Sequence, residues 1–402
     1  MSGSATSAAL YAMTVSASSV TGGAPDEAKD KPHHLKNGKG FYNPWDSHGP
    51  MTAPQIGKAM IERRLMGKAN KPDTTPPTVP VVEPSFLPSR DTPALRATWL
   101  GHACYFVEFP GGLRVLFDPV FSCRCSPFSW LGPKRYTEVP CQIEEIPTID
   151  AVVISHSHYD HLDHPTIMRI KAKHPNAHFF VPLKLKQWFL DSGIKSGITE
   201  LDWWEQRDVT LSSIDSNLQT SPANAAGQEK SEFTMKARIG CLPCQHTSAR
   251  SPFDKDTTLW ASWSVESGGK KVWFGGDTGY RSVPQLPEGV DDYGPDQNHP
   301  HCPAFKQIGD LRGPFDLGLI PIGAYAPRWI FSHMHANPFD AVHIFRDTQC
   351  RRAMGIHWGT WVLTEEDVLE PPRILKEALK RYGLPEEGVF DTCAIGEARE
   401  FA

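Results

Sequence analysis

A short apolar run, Ala151-Val152-Val153-Ile154, is followed at once by Ser155-His156-Ser157-His158-Tyr159-Asp160-His161. The run predicts a buried strand. The chain must therefore fold so that the end of one strand delivers His156, His158, Asp160 and His161 to one place. His156 and His158 are two apart, so an extended segment projects both the same way. Asp160 and His161 follow in a turn, which can aim adjacent side chains at neighbouring points. Two imidazoles can then hold one cation while the carboxylate and the third imidazole hold another. Zinc and similar ions accept these nitrogen and oxygen donors at short distances that a compact loop can supply. Among 17 histidines a stray His-x-His pair is expected, so the weight rests on four donors crowded behind one strand.

Three further candidates sit at the ends of other strand-like runs. They are His246 in Cys-Gln-His-Thr, Asp277 in Phe-Gly-Gly-Asp-Thr-Gly and His357 in Gly-Ile-His-Trp-Gly. Gly275, Gly276 and Gly279 allow the backbone to turn closely around Asp277. Asp277 carries two oxygens and can bridge two cations. Asp118 and Asp163 are candidates to orient ligand histidines from behind, and His102 is read as structural. Cys241-Leu242-Pro243-Cys244 has the spacing of a redox pair or a structural zinc site, but the plainer reading is two thiols beside His246.

The 402 residues suffice for one large domain with extensions, or for two smaller ones. Net charge is -5, which is no signature of a nucleic-acid binder. Nine cysteines is an odd count, and free thiols in a reducing compartment are expected. Residues 1–30 show no secretory leader. They also lack arginine and contain Asp26, Glu27 and Asp30, which argues against a mitochondrial presequence. No run reaches the ~18 apolar residues of a membrane span, so membrane association is expected to be peripheral.

Along the chain, residues 1–30 are small and polar and read as a disordered tail. Residues 31–93 form a basic, then Pro-rich arm. In 55–68, apolar residues at 56, 60, 61 and 65 fall at helical spacing with basic residues between them. Such a segment suits an anionic membrane surface, or else packs on the main domain with a solvated basic face. The catalytic domain is placed at 94–402. Strands are predicted near 95–100, 104–109, 113–117, 151–154, 178–182, 233–239, 258–265, 271–275, 315–320 and 353–356. Helices are predicted near 164–174, 183–192 and 338–349. This order fits two β-sheets sandwiched between helices. Residues 213–230 read as a surface insertion and 281–303 as a polar loop.

Ser-His-x-His-x-Asp-His resembles the signature of the metallo-β-lactamase superfamily. The surrounding stretches narrow the resemblance. Thr98-Trp99-Leu100-Gly101-His102-Ala103, Gly132-Pro133-Lys134-Arg135, Glu200-Leu201-Asp202-Trp203-Trp204-Glu205, Gly276-Asp277-Thr278-Gly279-Tyr280, Pro321-Ile322-Gly323-Ala324-Tyr325 and Ile356-His357-Trp358-Gly359-Thr360 are similar to N-acyl-phosphatidylethanolamine-hydrolysing phospholipase D. So are His158-Tyr159-Asp160-His161-Leu162-Asp163 and Gly313-Pro314-Phe315-Asp316-Leu317. The likeness runs from about residue 94 to 399, and Asn43-Pro44-Trp45 adds a short match in the arm.

The resemblance implies an α/β fold, the metallo-β-lactamase αββα sandwich, with a site for two Zn2+ ions. By motif, His156, His158 and His246 would hold one zinc. Asp160, His161 and His357 would hold the other, with Asp277 bridging. His335, followed by Ala-Asn-Pro, stands where the family has a histidine facing the substrate phosphate, and His333 is the competing candidate. The catalytic group would be Asp160, Asp277 and His335. The implied reaction is attack of metal-activated water on phosphorus, giving N-acylethanolamine and phosphatidic acid. The expected partner is a phospholipid at a membrane surface, with no nucleic acid, and a homodimer is left open. The expected location is intracellular, on the face of a membrane whose identity, mitochondrial or another organelle's, is not written in the sequence. The 213–230 and 281–303 segments depart from the family pattern and bear on lipid selectivity. Other readings are a lactonase, thioesterase or nuclease on the same fold, a di-iron redox protein, or an inactive lipid binder. His158, where iron sites of this scaffold favour glutamate, speaks against the di-iron reading.

Overall fold

The computed structural model describes residues 11–20, 23–49, 51–213 and 234–402. In chain order the strands are β1 (Tyr11–Ala17), β2 (Leu95–Gly101), β3 (Cys104–Glu108), β4 (Arg114–Phe117), β5 (Ala151–Val153), β6 (His178–Pro182), β7 (Ile198–Leu201) and β8 (Gln206–Ser213). After the undescribed stretch come β9 (Thr234–Leu242), β10 (Ser262–Ser267), β11 (Lys270–Phe274), β12 (Leu317–Pro321), β13 (Ala353–Ile356), β14 (Phe390–Asp391) and β15 (Ala398–Phe401). The helices are α1 (Ala53–Leu65), α2 (His164–Lys173), α3 (Lys186–Asp191), α4 (Ala304–Arg312), α5 (Arg328–Phe331), α6 (Pro338–Asp347) and α7 (Glu370–Arg381).

The strands make two sheets, ordered β15-β2-β3-β4-β5-β6-β7 and β1-β8-β9-β10-β11-β12-β13-β14. Each sheet is antiparallel in one half and parallel in the other. The parallel part is β4 to β7 in one and β11 to β14 in the other. Period-two alternation divides each strand between layers. In β4, Val115 and Phe117 join the core between the sheets with Trp99, Trp263 and Trp273. Leu116 points the other way, with Val152, Ile167, Ile170 and Phe189, under α2 and α3. Ala341, Val342, Leu375 and Leu379 of α6 and α7 cover the second sheet. The result is the expected αββα sandwich.

One sequence reading needs correction. Part of the segment read as a disordered tail is ordered: Tyr11–Ala17 pairs antiparallel with β8, Tyr11 opposite Ser213 and Ala17 opposite Arg207. Tyr11, Met13 and Val15 alternate inward and pack against the main core, so small residues between them conceal a half-buried strand. Residues 1–10 and most of the 213–230 insertion lie outside the described residues. The arm packs on the domain, with Phe41 and Val79 inside its core. The helical spacing near 55–68 is realised in α1, opened by Thr52 and Gln55 in a capping box.

Candidate metal centre

The parallel halves place their strand ends along one rim of the sandwich. β5 leads into Ser155-His156, β11 into Gly275-Gly276-Asp277 and β13 into His357, while His246 follows β9. Gly276 has φ +57, and a Cβ there would meet the Ser155 Cβ at 2.6 Å, so the turn before Asp277 requires glycine.

The structure brings all seven candidate ligands together. His156 Nε2 lies 2.8 Å from His158 Nδ1, and His246 Nε2 lies 3.3 Å from the same atom. Beside this trio, His161 Nε2 is 3.5 Å from Asp160 Oδ2, and His357 Nε2 is 3.3 Å from it. Asp277 stands between the groups. Its Oδ1 is 3.2 Å from His161 Nε2, and its Oδ2 is 2.9 Å from His357 Nε2 and 3.6 Å from His246 Nε2. Donors around a tetrahedral cation at ~2.0–2.2 Å stand ~3.3–3.5 Å apart, close to most of these separations.

The chemistry of the donors also fits cations. Asp277 Oδ1 and His161 Nε2, though 3.2 Å apart, form no aligned hydrogen bond with each other or with any other described group, which a protein avoids in buried polar atoms unless something else satisfies them. Burial holds His156 and His246 well below the usual imidazole range, in the neutral form that binds metals. Burial would raise the Asp160 and Asp277 carboxyls, but surrounding histidines, His161 foremost, hold both well below the usual range. Burial likewise opposes protonation of His357, yet Asp277 and Asp160 raise it to about 9. The cluster thus sets neutral His156 and His246 on one hand, and His161 and His357, whose protonated forms the carboxylates favour, on the other, around two carboxylates that demand positive charge.

Outside the donors, Asp118 Oδ2 sits 2.6 Å from His161 Nδ1. The Ser155 hydroxyl links Asp118 to His156 Nδ1, 2.8 Å away. Asp118 therefore orients ligand candidates as expected. Asp163 does not: it caps α2, accepting from the Thr166 backbone and hydroxyl and from Ser122. His102, read as structural, reaches the cluster. Its Nε2 is 3.1 Å from Asp160 Oδ2 and its carbonyl accepts from the His357 backbone N–H. Only Gly101-His102 at a β2–β3 turn hinted at this, and a turn histidine has many uses. His335 rather than His333 faces the centre. Its ring is 5.1 Å from that of His246 and 5.2 Å from that of His357, whereas His333 lies against His48 at 5.3 Å. Burial lowers His335 to about 3, so it is a neutral imidazole with one N–H to donate. Cys241 and Cys244 are buried free thiols apart from this cluster.

A small pocket of mixed character opens beside His357, lined by Tyr136, Trp361, Val362 and Leu363 together with Thr364, Glu366 and Asp367. Trp361 also lies 4.8 Å from the His102 ring and under the Arg135 guanidinium. The loop that Arg135 closes carries Phe128, Trp130 and Leu131, exposed by 49%, 72% and 52%.

Residues 113–358 match the domain model of the β-lactamase superfamily. The chain is 34% identical to N-acyl-phosphatidylethanolamine-hydrolyzing phospholipase D 1 of Caenorhabditis elegans, over 91% of this chain and 94% of that protein. It is 32% identical to the mitochondrial N-acyl-phosphatidylethanolamine-hydrolyzing phospholipase D of Saccharomyces cerevisiae, over 75% of this chain and 54% of that one. An uncharacterized protein of Mycobacterium tuberculosis is 34% identical over 73% of this chain and 66% of its own length.

Proposed function

This chain belongs to the N-acyl-phosphatidylethanolamine-hydrolysing phospholipase D family of the β-lactamase superfamily, and on that premise we propose that it is a zinc-dependent phosphodiesterase releasing N-acylethanolamine and phosphatidic acid from N-acyl-phosphatidylethanolamine. The coarser statement, that it is a metal-dependent hydrolase, follows from family and fold. The observation that carries the two-metal part of this reading is the convergence of His156, His158 and His246, and of Asp160, His161 and His357, about Asp277; its substrate rests on the likeness to the curated relatives.

In this reading those two trios and Asp277 would hold two zinc ions. Bound cations of this kind lower the pKa of water towards ~7 and offset phosphate charge. The protein's own part is placement. Asp118 fixes the His161 ring through Nδ1, leaving Nε2 to face the site. His335, held neutral, donates its N–H to a phosphate oxygen or to the departing alkoxide, whose charge grows as the P–O bond breaks. Phe128, Trp130 and Leu131, with Ile61 and Leu65 of α1 and Met66 just after it, exposed by 62%, 82% and 69%, meet the lipid surface peripherally. Arg64 and Lys68, exposed at the end of α1, face anionic headgroups there. Among the described residues no helix is long and apolar enough to cross a membrane.

His158→Ala should abolish phosphodiester hydrolysis and lower the bound metal count, read by metal analysis beside lipid product analysis. Full activity with full metal content would sink the reading. Assays on ordinary phospholipids, lactones and RNA separate it from other hydrolases of this fold.

A further inference from the structure

The arm before the sandwich does more than cover the core. Lys31, His33 and His34 converge on the buried Asp202 carboxylate at 3.0, 2.7 and 2.8 Å. The His33 and Trp45 rings stack on the Trp203 indole at 4.2 and 5.3 Å. Anchored there, the next residues run behind the metal centre. The Asn43 amide donates to the carbonyl of His246 at 2.7 Å and lies 3.3 Å from His48 Nε2. His48 Nδ1 lies 3.3 Å from the His333 carbonyl. This chain selects one tautomer: Nε2 accepts from Asn43, and Nδ1–H donates to His333. The Ser47 hydroxyl donates to Gln245 Oε1 at 2.5 Å, while Gln245 Nε2 donates to the Ser47 and His333 carbonyls at 3.3 and 3.0 Å.

We infer that Asn43, Ser47 and His48 are positioning residues that fix the His246 backbone against the segment carrying His335; the inference rests on His246 being a metal ligand. The two segments are separated by some ninety residues and belong to different loops. They touch directly where His246 Nδ1 lies 3.0 Å from the Met334 carbonyl. That contact sets the ring of His246, and the arm sets the backbone beneath it. Loss of the arm's donors frees the ligand's main chain without altering any donor atom of the centre. The site holding His156, His158 and His246 then weakens, while the one holding Asp160, His161 and His357, to which no described arm residue hydrogen-bonds, keeps its geometry.

The test uses the full-length protein loaded with zinc, and separately with cobalt(II). Asn43→Leu keeps the branched side-chain shape and removes the amide; Ser47→Ala removes only a hydroxyl. In a chelator titration, Asn43→Leu should release one metal equivalent about tenfold more readily than the unaltered protein, as loss of outer partners does elsewhere. The second equivalent should be unmoved and the cobalt visible bands altered. Ser47→Ala should shift the same equivalent in the same direction, by less. Release curves and spectra identical to the unaltered protein overturn the inference. So does a parallel loss of both equivalents together with a fall in Tm, which marks a merely structural arm. His246→Ala serves as reference: if it keeps both equivalents, the metal reading itself fails and the positioning role falls with it.

Discussion

A single carbon added at Gly276 would collide with Ser155, whose hydroxyl joins Asp118 to His156. The left-handed φ of +57 adds strain for any other residue. Gly276→Ala should therefore destabilise the protein by ~1–3 kcal/mol and lower its metal content; thermal melting and metal analysis check both. The glycines around Asp277 were legible as a sign of a tight turn, although only Gly276 has a positive φ, while a Cβ at Gly279 would meet the His333 backbone at 2.5 Å. His156, His158, Asp160 and His161 were legible because one local segment carries them. His102 was not, since its contact with Asp160 depends on β2–β3 meeting the end of β5, which no local pattern encodes. Asp163 misled in the opposite direction. A carboxylate beside a ligand motif looks like an orienting group, yet it begins a helix, and Pro165-Thr166 just after it is an equally good capping signal.

Between residue and molecule lie the elements that meet lipid in the proposed function. The Phe128–Leu131 loop rises from the rim beside Trp361, and α1 is tied to the neighbouring segment by the Arg63–Glu365 ion pair at 2.5 Å. Burying one aromatic side chain is worth ~1.5–3 kcal/mol, or roughly ten- to a hundredfold in partition. Phe128→Ser with Trp130→Ser should thus weaken sedimentation with anionic phospholipid vesicles at least tenfold, while turnover of detergent-dispersed substrate stays near normal. Equal vesicle binding would remove this loop from the interface. At this scale the sequence was read unevenly. Strands buried on both faces, such as β4 and β5, stood out as apolar runs. β1 did not, because its half-buried alternation uses Ala, Thr and Ser. α7 escaped because Pro371-Pro372 reads as a break, although proline is well tolerated in a first helical turn.

For the whole molecule, the docking of the arm on Asp202 makes stability depend on pH. Burial would raise the Asp202 carboxyl, but His33 and Lys31 hold it below its ordinary 3.8. Its contribution is present above 3.8 and lost as pH falls through the lower folded value. Burial lowers His33 from 6.5, so its contribution is complete above 6.5 and is likewise lost in acid. Asp202 raises Lys31 above 10.5, so its share persists below 10.5 and disappears in stronger alkali. Arm docking should be tightest between those limits, and Trp45 fluorescence should change on acidification before circular dichroism does; a Trp45 signal constant to pH 4 would contradict this. The αββα plan was legible in the order of strands and helices, whereas the pairing of an N-terminal strand with β8 rests on contacts far apart in sequence. The two sheets also share the proposed site unequally: one supplies His156, His158, Asp160 and His161, the other Asp277 and His357 from its parallel strands and His246 from β9. A bound ion there is a rivet between the halves of the sandwich. An ion held at a thousand times its Kd adds ~4 kcal/mol to folding, so chelation should lower Tm in proportion to the ions removed, as calorimetry would show. The quantity of intact protein in a cell would then follow the local metal supply, making abundance itself respond to metal scarcity before catalysis is considered.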